Sequence, residues 1–163
     1  MKEPQKTEKS GRVLVVDDNE DVLLAARLLL RQHVQTVKTE TDPSSIPWIL
    51  DSDDIDVVLL DMNFTRDVSS GQEGFDWLAR IKEIDPSIVV VLMTAYGDVD
   101  IAVRAIKAGA SDFVLKPWQN EKLWATISMR SQFPLLISCS MSCRNRRVTN
   151  HRRNGIIKAR IEK

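Results

Sequence analysis

Five side chains able to handle a phosphoryl group stand at the ends of apolar runs in this sequence. Val57-Val58-Leu59-Leu60 runs into Asp61, and Arg12-Val13-Leu14-Val15-Val16 runs into Asp17 and Asp18. Ile88 to Met93 ends on Thr94, and Phe113-Val114-Leu115 ends on Lys116 with Pro117 behind it. A short continuous apolar run reads as a strand buried on both faces, as in parallel sheets covered by helices. The carboxyl ends of such strands share one edge, where open α/β sheets place their ligands. Three carboxylates gathered there repel one another unless a cation joins them, and hard oxygen donors suit Mg2+. A hydroxyl and an ammonium alongside have no role in metal storage. They suit a phosphoryl group carried on one carboxylate, whose oxygens they would grip. Asp61, on an interior strand with the other groups to either side, is the best acceptor.

Each residue also has a plainer reading. Asp17 and Asp18 can cap a helix, Thr94 can be an ordinary strand end, Lys116 a solvated charge and Phe113 a core residue. Coincidence at four strand ends, in one order, outweighs these readings taken singly.

The elements that must position these groups alternate. Between the strands lie helical patterns over Glu20 to about His33, a short helix from Thr41-Asp42-Pro43 through Leu50, Gly74–Ile84, Val99–Ala108, and Glu121 to about Arg130. Their apolar residues recur at helical spacing. Val34–Thr39 reads as a weaker second strand, and Ile88–Thr94, the most apolar, as a central one. Five strands and five helices in alternation predict a doubly wound α/β domain with helices on both faces of a parallel sheet. Trp48, Trp77 and Trp124 are expected at helix–sheet contacts, and His33 at a helix end.

The 163 residues suffice for one domain and a tail. Charge balances overall but not locally: from Arg130 onward nine Lys or Arg face one acid, while residues 1–129 hold 14 basic against 22 acidic residues. The acidic body argues against direct nucleic-acid binding by residues 1–129. Met1–Ser10 reads as a disordered leader, with no apolar stretch to serve as a signal peptide, and no run is long enough to span a membrane. Cys139 and Cys143, both in the tail, form no disulfide framework and are expected as free thiols. A reducing cytoplasm is the expected setting.

Val-Val-Asp-Asp-Asn at 15–19, Leu-Leu-Asp-Met at 59–62, Met-Thr-Ala-Tyr-Gly-Asp at 93–98 and Asp-Phe-Val-Leu-Lys-Pro-Trp at 112–118 closely resemble the receiver domain of two-component response regulators. The resemblance covers about Gly11 to Met129, and around Met93–Trp118 is nearest the NtrC class. It implies a flavodoxin-like receiver fold with strand order 2-1-3-4-5, and a signalling switch rather than a turnover enzyme. It implies Asp61 as phosphoacceptor from a sensor histidine kinase. Mg2+ would be held by Asp18, Asp61 and the main-chain carbonyl of Asn63, with Asp17 acting partly through water. Thr94 and Lys116 would grip the phosphoryl oxygens, Phe113 would be the switch aromatic, and Pro117 would follow a cis peptide bond. Homodimerisation through the face of helix four, strand five and helix five is the implied response.

Two departures accompany the resemblance. The loop after Asp61 is several residues longer than in a compact receiver. NtrC-class proteins continue into an ATPase domain, yet no Gly-x-x-x-x-Gly-Lys-[Ser/Thr] run occurs here. The expected organisation is a leader over 1–10, a receiver over 11–130 and a basic tail over 131–163, poorly ordered or read from a truncated or shifted frame. That tail gives only a weak pointer to nucleic acid. The competing function is a carboxylate-nucleophile phosphatase, disfavoured because the first strand offers adjacent Asp17-Asp18 instead of an Asp-x-Asp pair.

Overall fold

The computed structural model describes residues 11–64, 71–97 and 99–131. The leader, the centre of the loop after Asp61, Asp98 and the basic tail lie outside them. Strands β1 (Arg12–Val16), β2 (Thr36–Glu40), β3 (Val57–Asp61), β4 (Val89–Thr94) and β5 (Asp112–Leu115) form one parallel sheet in the order β2-β1-β3-β4-β5. Helices α1 (Glu20–Leu30), α2 (Ile46–Ser52), α3 (Gln72–Ile84), α4 (Val99–Lys107) and α5 (Asn120–Ser131) alternate with the strands. This is the doubly wound architecture anticipated from the alternation of elements.

The interior strands β1, β3 and β4 are mainly apolar because both sheet faces are covered, whereas the edge strand β2 (Thr-Val-Lys-Thr-Glu) is only half-buried. Side chains on a strand alternate between faces, so β3 sends Val58 and Leu60 into one core and Val57 and Leu59 into the other. The first core packs against α2 and α3 through Ile46, Ile49, Leu78 and Ile81, with Ala105 of α4. The second packs against α1 and α5 through Leu23, Ala26, Leu123 and Ile127. Truncating a fully buried residue such as Leu60 to Ala costs about 2–5 kcal/mol in cores of this kind.

Several boundaries differ from the sequence expectation. α1 stops at Leu30, because the His33 and Val34 amides both turn back to the Leu30 carbonyl. Val34 is therefore a buried turn residue, and β2 begins only at Thr36, paired with Arg12. β4, expected as a central strand from its apolarity, is paired on both sides, next to β3, which takes the middle position that the implied strand order gives it. Both are interior, so apolarity does not rank them. α3 begins two residues earlier than its apolar pattern, at Gln72.

Trp48 is the clearest correction. It is 71% exposed, because α2 directs Ile46, Ile49 and Leu50 inward and residue 48 falls on the opposite side. Trp77 and Trp124 do pack against the two cores. Trp124 also stacks on His33, with ring centroids 4.3 Å apart. No helix among the described residues is long and apolar enough to cross a membrane.

Candidate functional site

Among the described residues three polar side chains are buried: Asp17 at 0%, Asp61 at 5% and Thr94 at 1% exposure. All three lie at the carboxyl edge of the sheet. Asp17 directly follows β1, where its amide continues the β2 ladder by donating to the Glu40 carbonyl at 3.1 Å. Asp61 is the last residue of β3, aligned with Met93, and Thr94 closes β4 opposite Leu115. The Met62 amide donates to the Met93 carbonyl at 3.0 Å and the Lys116 amide to the Thr94 carbonyl at 2.7 Å. The sheet ladder thus continues just past each functional residue and fixes its height at the edge.

Lys116 follows the edge strand, yet its side chain spans β4 to reach the two carboxylates beyond. Its ammonium donates to Asp61 Oδ1 at 2.6 Å and forms an ion pair with Asp17 Oδ2. The remaining oxygens accept backbone protons: Asp17 Oδ1 from the Asn19 amide at 3.0 Å, Asp61 Oδ2 from the Asn63 amide at 3.2 Å. The Lys116–Pro117 peptide bond is cis. Asp18 is exposed at the mouth of the site, and carboxylate oxygens of Asp17, Asp18 and Asp61 lie within 4.8 Å of one another. Burial pushes the Asp61 carboxyl above the ordinary carboxylate range, and the neighbouring Asp17 charge adds to this. The hydrogen bond and charge of Lys116, and the Asn63 amide, pull the other way and do not fully offset it.

The site residues read from the sequence thus divide by placement. Asp17, Asp61 and Lys116 are in direct contact, with Asp18 beside them. Thr94 stands on the neighbouring strand, its hydroxyl oxygen accepting the Tyr96 amide proton at 3.2 Å. Asn63 follows Asp61 by two residues and is half-buried. Phe113 lies on β5, half-buried against the α2–α3 core. Sequence reasoning missed Glu73, whose carboxylate accepts the Phe64 amide proton at 2.9 Å, and the Asn63 side chain, which accepts that of Gly71 at 2.8 Å. Its one available signal was an acid in the first turn of a helix. It also missed Arg104, which donates to Gln72 Oε1 at 2.5 Å and lies 4.1 Å over the Phe75 ring, joining α4 to α3.

Comparison with known proteins identifies the family and the fold. Residues 13–128 match the response regulator receiver domain family. The chain is 33% identical over 117 residues to the alginate biosynthesis transcriptional regulatory protein AlgB of Pseudomonas syringae pv. tomato, covering 72% of this chain and 25% of that protein. It is 34% identical over 116 residues to the transcriptional regulatory protein ZraR of Klebsiella oxytoca, covering 71% and 25%. It spans about a quarter of the length of these relatives. Among solved structures, an N-terminal receiver domain of a Bacteroides fragilis response regulator superposes with a TM-score of 0.67 at 46% identity, covering 76% of this chain and 98% of that one. NtrX of Brucella abortus superposes with a TM-score of 0.67 at 27% identity, covering 76% and 27%. Phosphorylation-controlled switching is general to such domains. Residues 13–128 thus place this chain in the response regulator receiver domain family of two-component systems.

Proposed function

We propose that Asp61 accepts a phosphoryl group from a sensor histidine kinase and that the resulting charge switches the neighbouring surface. The observation that carries this reading is the Lys116 ammonium shared between Asp61 and Asp17. A carboxylate so held is oriented and kept partly from water, and a cation stands ready for the oxygens of an arriving phosphoryl group. In the transfer, an Asp61 carboxylate oxygen bonds to phosphorus as the bond from phosphorus to the kinase histidine breaks. The bonding pair of electrons leaves with the imidazole nitrogen. Lys116 moves from a carboxylate oxygen to a phosphoryl oxygen, and the Thr94 hydroxyl donates to another.

Mg2+ suits the donors present. Oxygen atoms from three carboxylates lie close together, and buried Asp17 Oδ2 meets only the Lys116 ammonium. Asp18, Asp61 and the main-chain carbonyl of Asn63 would hold the ion, with Asp17 acting partly through water. When bound, it supplies positive charge to the phosphoryl oxygens.

Drawing Thr94 toward the phosphoryl group pulls on the end of β4 and opens room for Phe113 to turn inward. The surface beside it supports a dimerisation role for α4, β5 and α5. Tyr96, Val99, Val103, Ile106 and Leu115 are large apolar residues left exposed there. Soluble surfaces seldom leave such residues clustered without a partner.

Incubation with Mg2+ and acetyl phosphate, followed by intact-mass measurement, tests the chemistry. One added phosphoryl group is expected on the parent and none on Asp61→Asn. An adduct that persists on Asp61→Asn would show that another residue is the acceptor.

A further inference from the structure

The loop that follows Asp61 is tied together at its base by side chains that the phosphoryl chemistry does not use. On the outgoing limb stand Met62, Asn63 and Phe64, and on the returning limb Gly71, Glu73 and Gly74. The Gly71 amide donates to Asn63 Oδ1 at 2.8 Å, and the Phe64 amide to Glu73 Oε2 at 2.9 Å. The Gly74 amide donates to the Met62 carbonyl at 3.1 Å. The limbs touch closely enough to require glycine. A Cβ on Gly74 would stand 2.6 Å from Met62 Cα, a backbone atom that cannot give way, while at Gly71 it is the backbone φ of +67° that favours glycine. Glu73 sits in the first turn of α3, where the helix dipole favours its negative charge.

These ties act on the acceptor itself, because the Asn63 amide is bonded to Asp61 Oδ2. We propose that Asn63 and Glu73 are positioning residues for Asp61. Their side chains close the base of the loop and so hold the Asp61–Asn63 backbone in one geometry, whatever spans residues 65–70. The inference rests on Asp61 being the phosphoacceptor.

Time courses of adduct formation by intact mass, with Mg2+ and varied acetyl phosphate, test this on the full chain. Misplacing a reacting group by an ångström can cost about a hundredfold in rate, so partial loosening by Asn63→Ala or Glu73→Ala is expected to lower the saturating rate about tenfold. The half-saturating concentration should stay nearly constant, since binding of acetyl phosphate does not use either side chain. Asn63→Asp and Glu73→Gln keep an oxygen for the amide and should restore most of the rate. Hydrogen exchange at the Gly71 amide should rise in Asn63→Ala, and at the Phe64 amide in Glu73→Ala, before any acetyl phosphate is added. Rates are taken per folded molecule, and Asn63→Ser provides a milder step if Asn63→Ala does not fold. Alanine variants that react at the parent rate, with only their melting temperatures lowered, would overturn the positioning role while leaving the acceptor intact. A parent that gains no adduct would overturn the acceptor assignment and the positioning role together.

Discussion

Two lysine–aspartate contacts in this domain use the same chemical groups to opposite effect. Lys38 on β2 donates to Asp53 Oδ2 at 2.5 Å, with both side chains substantially in water. There the hydrogen bond from lysine holds the Asp53 carboxyl below its ordinary range, which is what a partner in water does. Lys116 contacts Asp61 just as closely, yet the Asp61 carboxyl is pushed up, because burial outweighs the lysine and Asp17 adds a second negative charge. One cation for two buried carboxylates leaves the edge of the sheet with unbalanced charge. The exposed pair adds to a finished surface, whereas the buried cluster is left ready for additional positive charge.

Charge counting predicts opposite signs for substitutions at the buried cluster. Without divalent cations, Lys116→Met leaves two buried carboxylates with no cation and should cost about 3–5 kcal/mol in urea unfolding, part of which Mg2+ restores. A loss no larger than that of a surface lysine would break the comparison. Asp61→Asn reduces the cluster to one carboxylate and one ammonium, and should gain roughly 1 kcal/mol at neutral pH under the same conditions. The sign follows from the raised carboxyl. Its proton is held more tightly in the folded state, so ionisation at neutral pH weakens folding. The advantage of the Asp61→Asn variant over the parent should therefore shrink as the pH falls toward the ordinary carboxylate range.

Arg104 sharpens the contrast, because its cation is met by neutral groups. It rests on the Phe75 ring and the Gln72 amide oxygen at the protein surface. Arg104→Leu should cost about 0.5–1 kcal/mol and raise hydrogen exchange in α4, without slowing adduct formation on Asp61. The smallest effect belongs to the exposed pair. Because the Asp53 carboxyl is depressed, its contribution to stability is full above the ordinary carboxylate range and is lost as the pH falls below about 4. Lys38→Met should therefore lower the neutral-pH unfolding midpoint only slightly, a difference that vanishes below about pH 4, while the Asp53 titration followed by NMR moves up.

How much of this was legible in the residues depends on whether the information is local. Strand ends are local: an unbroken apolar run into Asp61, or Leu115 into Lys116-Pro117, marks both the strand and the group it presents. The reach of Lys116 across β4 to Asp61 and Asp17 is not local, since it depends on the order in which the strands assemble. The ties from Asn63 and Glu73 were hidden for a related reason. They join limbs separated by a loop whose return point no periodicity announces. Trp48 misled because a large apolar residue in a short helix suggests burial, whereas seven residues of α2 have only one inward side and three smaller residues fill it. At the end of α1, helical spacing ran on as far as His33 and Val34 was read as the start of the second strand, whereas both belong to the connection between α1 and β2.

The outward placement of Trp48 has a use at the bench. Its indole stands in water while Trp77, Trp118 and Trp124 are partly enclosed. Ultraviolet excitation therefore yields two populations of emission: a red-shifted component that acrylamide quenches first, and a bluer, more sheltered one. Trp118 lies two residues from Lys116. A Trp48→Phe background would thus remove the glare from solvent and let the remaining emission report on the carboxyl edge of the sheet without an added dye.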